Sequence, residues 1–360
     1  MIDKTFSDNT QKAIMPHLKI TEQLVSSALE KETGKECNVE ITAMPDLGLA
    51  NNSLRMRGGF FTGMFIEWNA DVSFVPVDAT VNSCGVSIFS LRKPLSFQEF
   101  KSRINNTKSF IREIGYNWNF EHGNHFVSIC RNDLNQYFIV MHASADEYKK
   151  SIQEQSLYPL SNVWYYDDIK VIYTKNRDRY LRYLVGNAAK KFADIAIGLE
   201  RINQERMNTV AMSIAGDLIN EEVCYIPHYG MPSESSIAIG CSWKKDKSVL
   251  LSIPGRDIFI IKNIDNASKR WLTPHGFGAE IIGPSIIYKN GEFLINGVHI
   301  MQDKDIAQLN GKALRYITSE PRQIEDFINK ILLKTNAKII SRLHPVVMIN
   351  KDGYAVYVEK

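Results

Sequence analysis

The sequence lacks paired cysteines, long apolar runs and a strong charge of either sign, and each lack removes a class of protein. Its five cysteines, Cys37, Cys84, Cys130, Cys224 and Cys241, are odd in number, scattered, and form no CxxC pair. That argues against a disulfide framework and a zinc ribbon, while leaving any one thiol able to act as a lone metal ligand. No run approaches the roughly 18 apolar residues that span a bilayer. The opening "MIDKTFSDNTQK" is polar and has no apolar signal-peptide core. A cytoplasmic protein with no membrane partner is therefore expected. The net charge of +3 is too small to argue for nucleic acid, although a local basic groove would vanish in that sum. The basic stretches that would line one are "NRDRYLRY" (176–183), "KKDK" (244–247) and "SKR" (268–270). Linkers, low-complexity tracts and fixed-period repeats are missing too, so the chain reads as one unit.

What is present is an ordinary globular composition over 360 residues, 44% hydrophobic and 23% charged, enough for a substantial core. Ile20, Leu24, Val25 and Leu29 share a face of a helix predicted from about Leu18 to Lys31, with a Gly34 stop. This makes residues 1–36 an N-terminal helical extension. From residue 37 to about 90 the chain breaks into β-like runs, among them "CNVEITAM", "GGFFTGMFIEW", "DVSFVPV" and "GVSIFSL". Helical spacing returns over 96–115, with Ser96 as N-cap and Glu99 as its capping-box partner. Two strands follow, "HFVSICR" and "QYFIVMHA", across the turn "NDLN". A long helix is predicted from about Tyr180 to Ile214, then mainly β segments with Gly-rich loops, and a last helix near Pro321–Lys334. No steady βαβ beat runs through this order, which argues against a Rossmann fold or a TIM barrel. The expectation is a monomeric α+β protein, a single large domain with several mixed and antiparallel sheets flanked by helices.

The eight histidines carry the functional signal. His125 in "GNHF", His142 in "FIVMHAS", His228 in "CYIPHYG" and His275 in "TPHGFG" each sit at the end of an apolar run or in a short glycine-bearing loop. Cys84 in "VNSCGVSIF" has the same setting. Strand ends let a rigid sheet aim several side chains at one point. Imidazole and thiolate are ligands for zinc, manganese, iron or cobalt, and a dispersed Cys/His set converges only through the fold. A lone histidine beside a β-run is more often structural, and His17, His299 and His344 are read so. His122 reads as part of a turn.

In order and flanks, these residues resemble the successive motifs of the RtcB family, RNA-splicing ligases that join a 2′,3′-cyclic phosphate or 3′-phosphate to a 5′-hydroxyl. "AMPD" (43–46) resembles the family's "MPD", "NSCGV" (82–86) its "INCGV", and "GNHF" (123–126) is its motif letter for letter. "VMHAS" resembles "MIHSGS", "AAKKFADIAI" the family's Ala-rich helix, and "YIPHYG" resembles "YDVAHN". "VLLSIPG" resembles "VLIPG", "HGFG" resembles "HGAG", and "SRLHPV" the closing "RLRP". The likeness covers about residues 40–351. It implies an RtcB-like fold, one or two manganese ions, GTP and an RNA partner bearing those ends. On this implication Cys84, His142 and His228 form one metal site, and Cys84 with His125 begins the other. His275 attacks the α-phosphate of GTP to give a guanylyl-histidine, a role open to an imidazole held in line. Asn124, Phe126, Ser128, Gly276, Gly278 and Lys351 would line the nucleotide, with Lys360 a second candidate for the lysine.

The departures are as specific as the matches. Val81 stands where the family has an aspartate ligand, leaving Asp78 as substitute ligand or simple turn residue. Ser128 replaces a glutamate that contacts guanine, Tyr229 an asparagine, Arg256 a serine and Ala279 an arginine. These changes leave two other readings open: a non-catalytic relative that binds RNA ends or a partner, and a metal-dependent phosphoesterase.

Overall fold

Residues with period-two alternation and residues with helical period build separate layers in the computed structural model, and the first kind dominate. It describes residues 1–50, 53–148, 156–159, 163–177, 179–244, 246–265, 270–281, 286–289, 292–295, 298–299 and 319–357. Lys360, Lys245, Ser268 and Lys269, named above, lie outside the described residues.

The architecture is α+β around one 12-stranded sheet. Its strands are β1 (Ile2–Asp3), β2 (Val39–Gly48), β3 (Thr62–Trp68), β4 (Cys84–Leu91), β5 (Phe126–Asn132) and β6 (Tyr137–Ala143). They continue with β7 (Ile219–Ser233), β8 (Ser236–Ile239), β9 (Lys247–Leu250), β10 (Ile258–Asn263), β11 (Ala337–Asn350) and β12 (Gly353–Val356). The order across the sheet is β1-β2-β3-β8-β7-β4-β6-β5-β11-β10-β9, with β12 paired to the end of β11. All these pairings are antiparallel except β1 with β2. The helices are α1 (Asn9–Thr33), α2 (Ser53–Gly58), α3 (Phe97–Glu113), α4 (Gly186–Ala215) and α5 (Ile324–Thr335). No described helix is long and apolar enough to cross a membrane.

Local chemistry explains where the helices begin. α3 has the expected capping box, Ser96 on the Glu99 amide and Glu99 on the Ser96 amide. α1 starts nine residues before Leu18, because Asp8 accepts from the Gln11 amide at 2.8 Å and Gln11 forms the reciprocal bond. The long helix predicted from Tyr180 is corrected at its start. Tyr180–Val185 is a strand between Phe74–Pro76 and Lys170–Tyr173, burying Leu181 and Tyr183 alternately. Gly186, at φ 62°, turns the chain from that strand into α4.

The pleat divides the core into two faces. Val127, Ile129, Ile139 and Met141 pack against Phe100 and Ile104 of α3 and Met207, Val210 and Ile214 of α4. Each such fully buried aliphatic side chain contributes on the order of 2 kcal/mol. The alternate residues Val86, Ile88, Phe126, Cys130 and Val140 meet Val249, Ile258 and Ile260, which belong to β9 and β10 at the sheet's far end. The sheet therefore curls onto itself, and one end of that curl is where Cys84, His125 and His142 emerge.

His344, on β11, ties the rim together. Its Nε2 lies 2.9 Å from Asp133 in the β5–β6 turn, and its Nδ1 lies 2.8 Å from Asp257 before β10. Partial burial lowers its pKa, but the two carboxylates raise it further, so the net shift is upward. A raised folded pKa means stability present in full below the unfolded value of about 6.5 and lost as pH rises through the folded value. His344→Gln is expected to flatten the decline of the urea midpoint over that interval. Identical pH profiles for variant and parent would remove His344 as the cause.

Candidate functional site

Cys84, His125, His142 and His275 sit where a strand starts or stops, and His228 sits at a bulge within β7. Cys84 opens β4 after a turn in which Thr80 and Ser83 hold left-handed backbones at φ 41° and 53°. Such strain in non-glycine residues persists only where the surroundings enforce it. His125 immediately precedes β5, and His142 is next to last in β6. In the β7–β4 ladder Pro227 faces Gly85 and Tyr229 faces Cys84, so His228 is the extra residue of a bulge. Bulges re-aim side chains, and this one delivers His228 to the cluster.

The structure brings Cys84, His125, His142, His228 and His275 together. Cys84 Sγ lies 3.5 Å from His125 Nε2 and 3.4 Å from His142 Nε2. His142 Nε2 lies 3.2 Å from His228 Nε2. The His228 and His275 rings stack with centroids 5.2 Å apart and planes 27° apart. Cys84, His125, His142 and His228 are buried, whereas the His275 side chain is 20% exposed.

The outer ring nitrogens show what the inner ones offer. His125 Nδ1 donates to the Asn119 carbonyl at 3.0 Å, and His142 Nδ1 to the Asn124 carbonyl at 3.2 Å. In these tautomers both Nε2 lone pairs point at the Cys84 sulfur. Burial pushes the pKa of His125 down to about 4. Burial and the neighbouring imidazoles also lower those of His142 and His228 well below the ordinary value. The rings are neutral at pH 7, the form that ligates a metal. Two imidazole nitrogens converging on a thiol that becomes a thiolate ligand on losing its proton suit a cation, and Cys84, His125 and His142 place their ligand atoms within 4.8 Å of one another.

Other expected site residues lie elsewhere. Asp78 is fully buried but committed to Arg182, whose Nε donates to its carboxylate at 3.0 Å. It is not among the residues whose ligand atoms group around Cys84. Val81 is packed in the core. Phe126 is buried against the His142 ring, and Ser128 is fully buried with its hydroxyl donating to the Val347 carbonyl at 2.9 Å. Neither faces an open nucleotide site, since the pleat turns both into the curl. Asn124 and Lys351 do line an open cleft of about 390 Å³, with Gly123, Pro254, Asn350 and Tyr357. At Gly276 a Cβ would stand 2.3 Å from the Leu251 carbonyl, and at Gly278 2.6 Å from that of Asp46. The protein's own backbone, rather than a ligand, demands glycine there. In the stretch 176–183, Arg179 bonds His17 at 2.8 Å and Arg182 bonds Asp78, so both side chains are turned inward rather than along a channel. Arg270 pairs with Glu67.

Asp46, within "AMPD", has no role among the expectations from sequence. Its Oδ2 lies 2.6 Å from His275 Nδ1, which also lies 3.0 Å from the Gly240 carbonyl. The carboxylate fixes the tautomer with hydrogen on Nδ1 and the lone pair on Nε2. Burial lowers the His275 pKa, but Asp46 raises it more, so Nε2 is more basic than in a free imidazole. Gly240, at φ 66°, is required because a Cβ there would stand 3.0 Å from His275 Nδ1.

A polar network on α4 and its neighbours holds the ligands from behind. Asn203 Nδ2 donates to the carbonyls of Ser83 (2.9 Å) and Ala143 (3.0 Å), next to Cys84 and His142. Fully buried Arg206 donates to Asn203 Oδ1 at 2.7 Å, and to Glu147 and the Ser144 carbonyl. Glu147 accepts from Asn119 Nδ2 at 2.8 Å, and Asn119 carries the carbonyl that orients His125. In the sequence the only trace was polar Asn203 and Arg206, three apart on a largely apolar helix face. No protein-family model matches this chain, and no curated protein matches it in sequence.

Two measurements probe this geometry. Cobalt(II) added to metal-free protein is expected to give a sulfur-to-cobalt absorption band that Cys84→Ser abolishes; an unchanged band would remove Cys84 from the ligand set. Arg206→Met leaves Glu147 without its buried partner and is expected to cost roughly 3–5 kcal/mol in urea unfolding. A loss under about 1 kcal/mol would mean the network does not brace the site.

Proposed function

We propose that this protein is a divergent RNA ligase of the RtcB type, using a nucleoside triphosphate, one metal ion and His275 as nucleophile. The observation that carries the reading is the Asp46–His275 pair stacked on a buried thiol–imidazole donor set. Asp46 accepts the Nδ1–H, so the Nε2 lone pair attacks the α-phosphorus and pyrophosphate leaves. The carboxylate then balances the positive charge on the phosphoramidate ring. An oxygen of the RNA 3′-phosphate next displaces His275, and the 5′-hydroxyl of a second end displaces the nucleoside monophosphate. A metal held by Cys84, His125, His142 and His228 would neutralise charge developing on phosphate oxygens.

A single ion is the economical choice, because Asp78 is paired with Arg182 and Val81 offers no donor. With no carboxylate among the grouped donors, zinc, cobalt or iron suits the set better than the manganese the resemblance implies. The cleft beside Asn124 and Lys351 is of a size that accepts a nucleotide base. Ser128 offers no group there, and Asp352, on the same cleft, is the carboxylate at hand for a guanine edge.

A test is to incubate the protein with each α-labelled triphosphate and each divalent metal, and then to follow joining of 3′-phosphate to 5′-hydroxyl RNA. An acid-labile, alkali-stable protein–nucleotide adduct is expected, lost in His275→Ala. Undiminished adduct in that variant would assign the nucleophile elsewhere. Metal binding without any adduct would favour the reading as an RNA-end binder, to which the changed nucleotide contacts also point.

A further inference from the structure

The Asp46–His275 pair joins segments 229 positions apart in sequence: Asp46 lies near the end of β2, and His275 follows the two-residue strand Thr273–Pro274. What holds them in register comes from two places that carried no functional signal: the N-terminal extension, outside the stretch resembling RtcB, and Arg322 just before α5. Gln11 is fully buried on α1, and its Nε2 donates to the carbonyls of Pro45 (2.8 Å) and Leu47 (3.4 Å). Those carbonyls flank Asp46. Arg322 is 4% exposed and spreads one guanidinium over both segments. Its Nη1 donates to the Phe277 carbonyl at 3.1 Å, two residues after His275. Its Nη2 donates to the Leu47 carbonyl at 3.4 Å, one residue after Asp46. Its Nε donates at 3.0 Å to Asp8, the residue that caps α1, and its own amide donates to the Gly278 carbonyl at 3.2 Å.

Gly278, at φ 67°, makes room for this arrangement, because a Cβ there would stand 2.5 Å from Arg322 Nη1. A planar fork of five fixed donors can bridge several carbonyls at once, and a lysine ammonium cannot reproduce that geometry. β1 adds a parallel pairing of Ile2 with Thr42 and Asp3 with Ala43, so the same N-terminal segment is stitched to β2 just ahead of Asp46.

We propose that Arg322, anchored by Asp8, is a positioning residue for the nucleophile. It holds the Asp46 and His275 segments at the separation that keeps hydrogen on Nδ1 and the lone pair on Nε2. The inference rests on the reading of His275 as nucleophile, but the clasp has a signature of its own. A 2.6 Å bond from imidazole to carboxylate places the His275 Nδ1 proton at low field in the proton spectrum.

The experiment uses the full chain with Asp8→Asn and Arg322→Lys. Asparagine still caps a helix and lysine keeps the positive charge, so both variants are chosen to fold, which circular dichroism and melting verify. Cobalt(II) affinity is measured to show that the metal centre is intact. The low-field resonance is assigned by its loss in His275→Ala. The expected result is a folded, cobalt-binding protein in which that resonance is lost and adduct formation falls by roughly 10–100-fold. Folded variants that keep both the resonance and an adduct rate within about two-fold of the parent would overturn the proposal, leaving Arg322 a contributor to stability only. Should the parent form no adduct with any triphosphate, the ligase reading fails, while the resonance alone still decides whether the clasp sets the His275 hydrogen bond.

Discussion

A thiol and imidazoles facing one another in a buried place are the constraint on which the rest of this molecule depends. A thiol and three imidazoles meet at 3.2–3.5 Å at one end of the curled sheet. Burying such groups without a compensating partner is costly. The molecule meets this by sending the outer nitrogens of His125 and His142 to main-chain carbonyls, which turns the inner nitrogens toward the Cys84 thiol. Two local irregularities serve that convergence. The left-handed residues before Cys84 start β4 where the sulfur is needed, and the β7 bulge adds His228.

The site has two supports of different kinds. Behind the metal ligands, Asn203, Arg206, Glu147 and Asn119 form a closed polar network that binds residues next to Cys84, His142 and His125. Around the nucleophile, Arg322, Asp8 and Gln11 bind backbone carbonyls on either side. In both, a buried guanidinium bridges main-chain carbonyls and a carboxylate from distant segments. The stacked rings of His228 and His275 are where the two regions meet.

Helix α3 was readable because its capping box is a local signal within four residues. Tyr180–Val185 was misread because six residues beside a 30-residue helix carry too little periodicity to separate a period of two from one of 3.6. α2, six residues long, was missed for the same reason. Cys84 and the four histidines stood out as chemically distinctive residues beside apolar runs or in short glycine-bearing loops. Phe126 and Ser128 looked equally exposed to ligand in the sequence, because a one-letter string does not state which face of the pleat is filled.

The sequence by itself determined the α+β class, the strand-end setting of Cys84, His125, His142 and His275 and the local caps, because these depend on neighbours within a few positions; His228 lies instead at a bulge inside β7. Tertiary structure alone decided that Asp78 belongs to Arg182, that Asp46 belongs to His275, and that Arg322 and Asp8 close over the loops between them. Such pairings join residues 104, 229 and 314 positions apart. A carboxylate has the same local preferences whichever cation or imidazole it will meet. Its partner is set only when the sheet has curled and brought distant carbonyls, rings and charges into one buried volume.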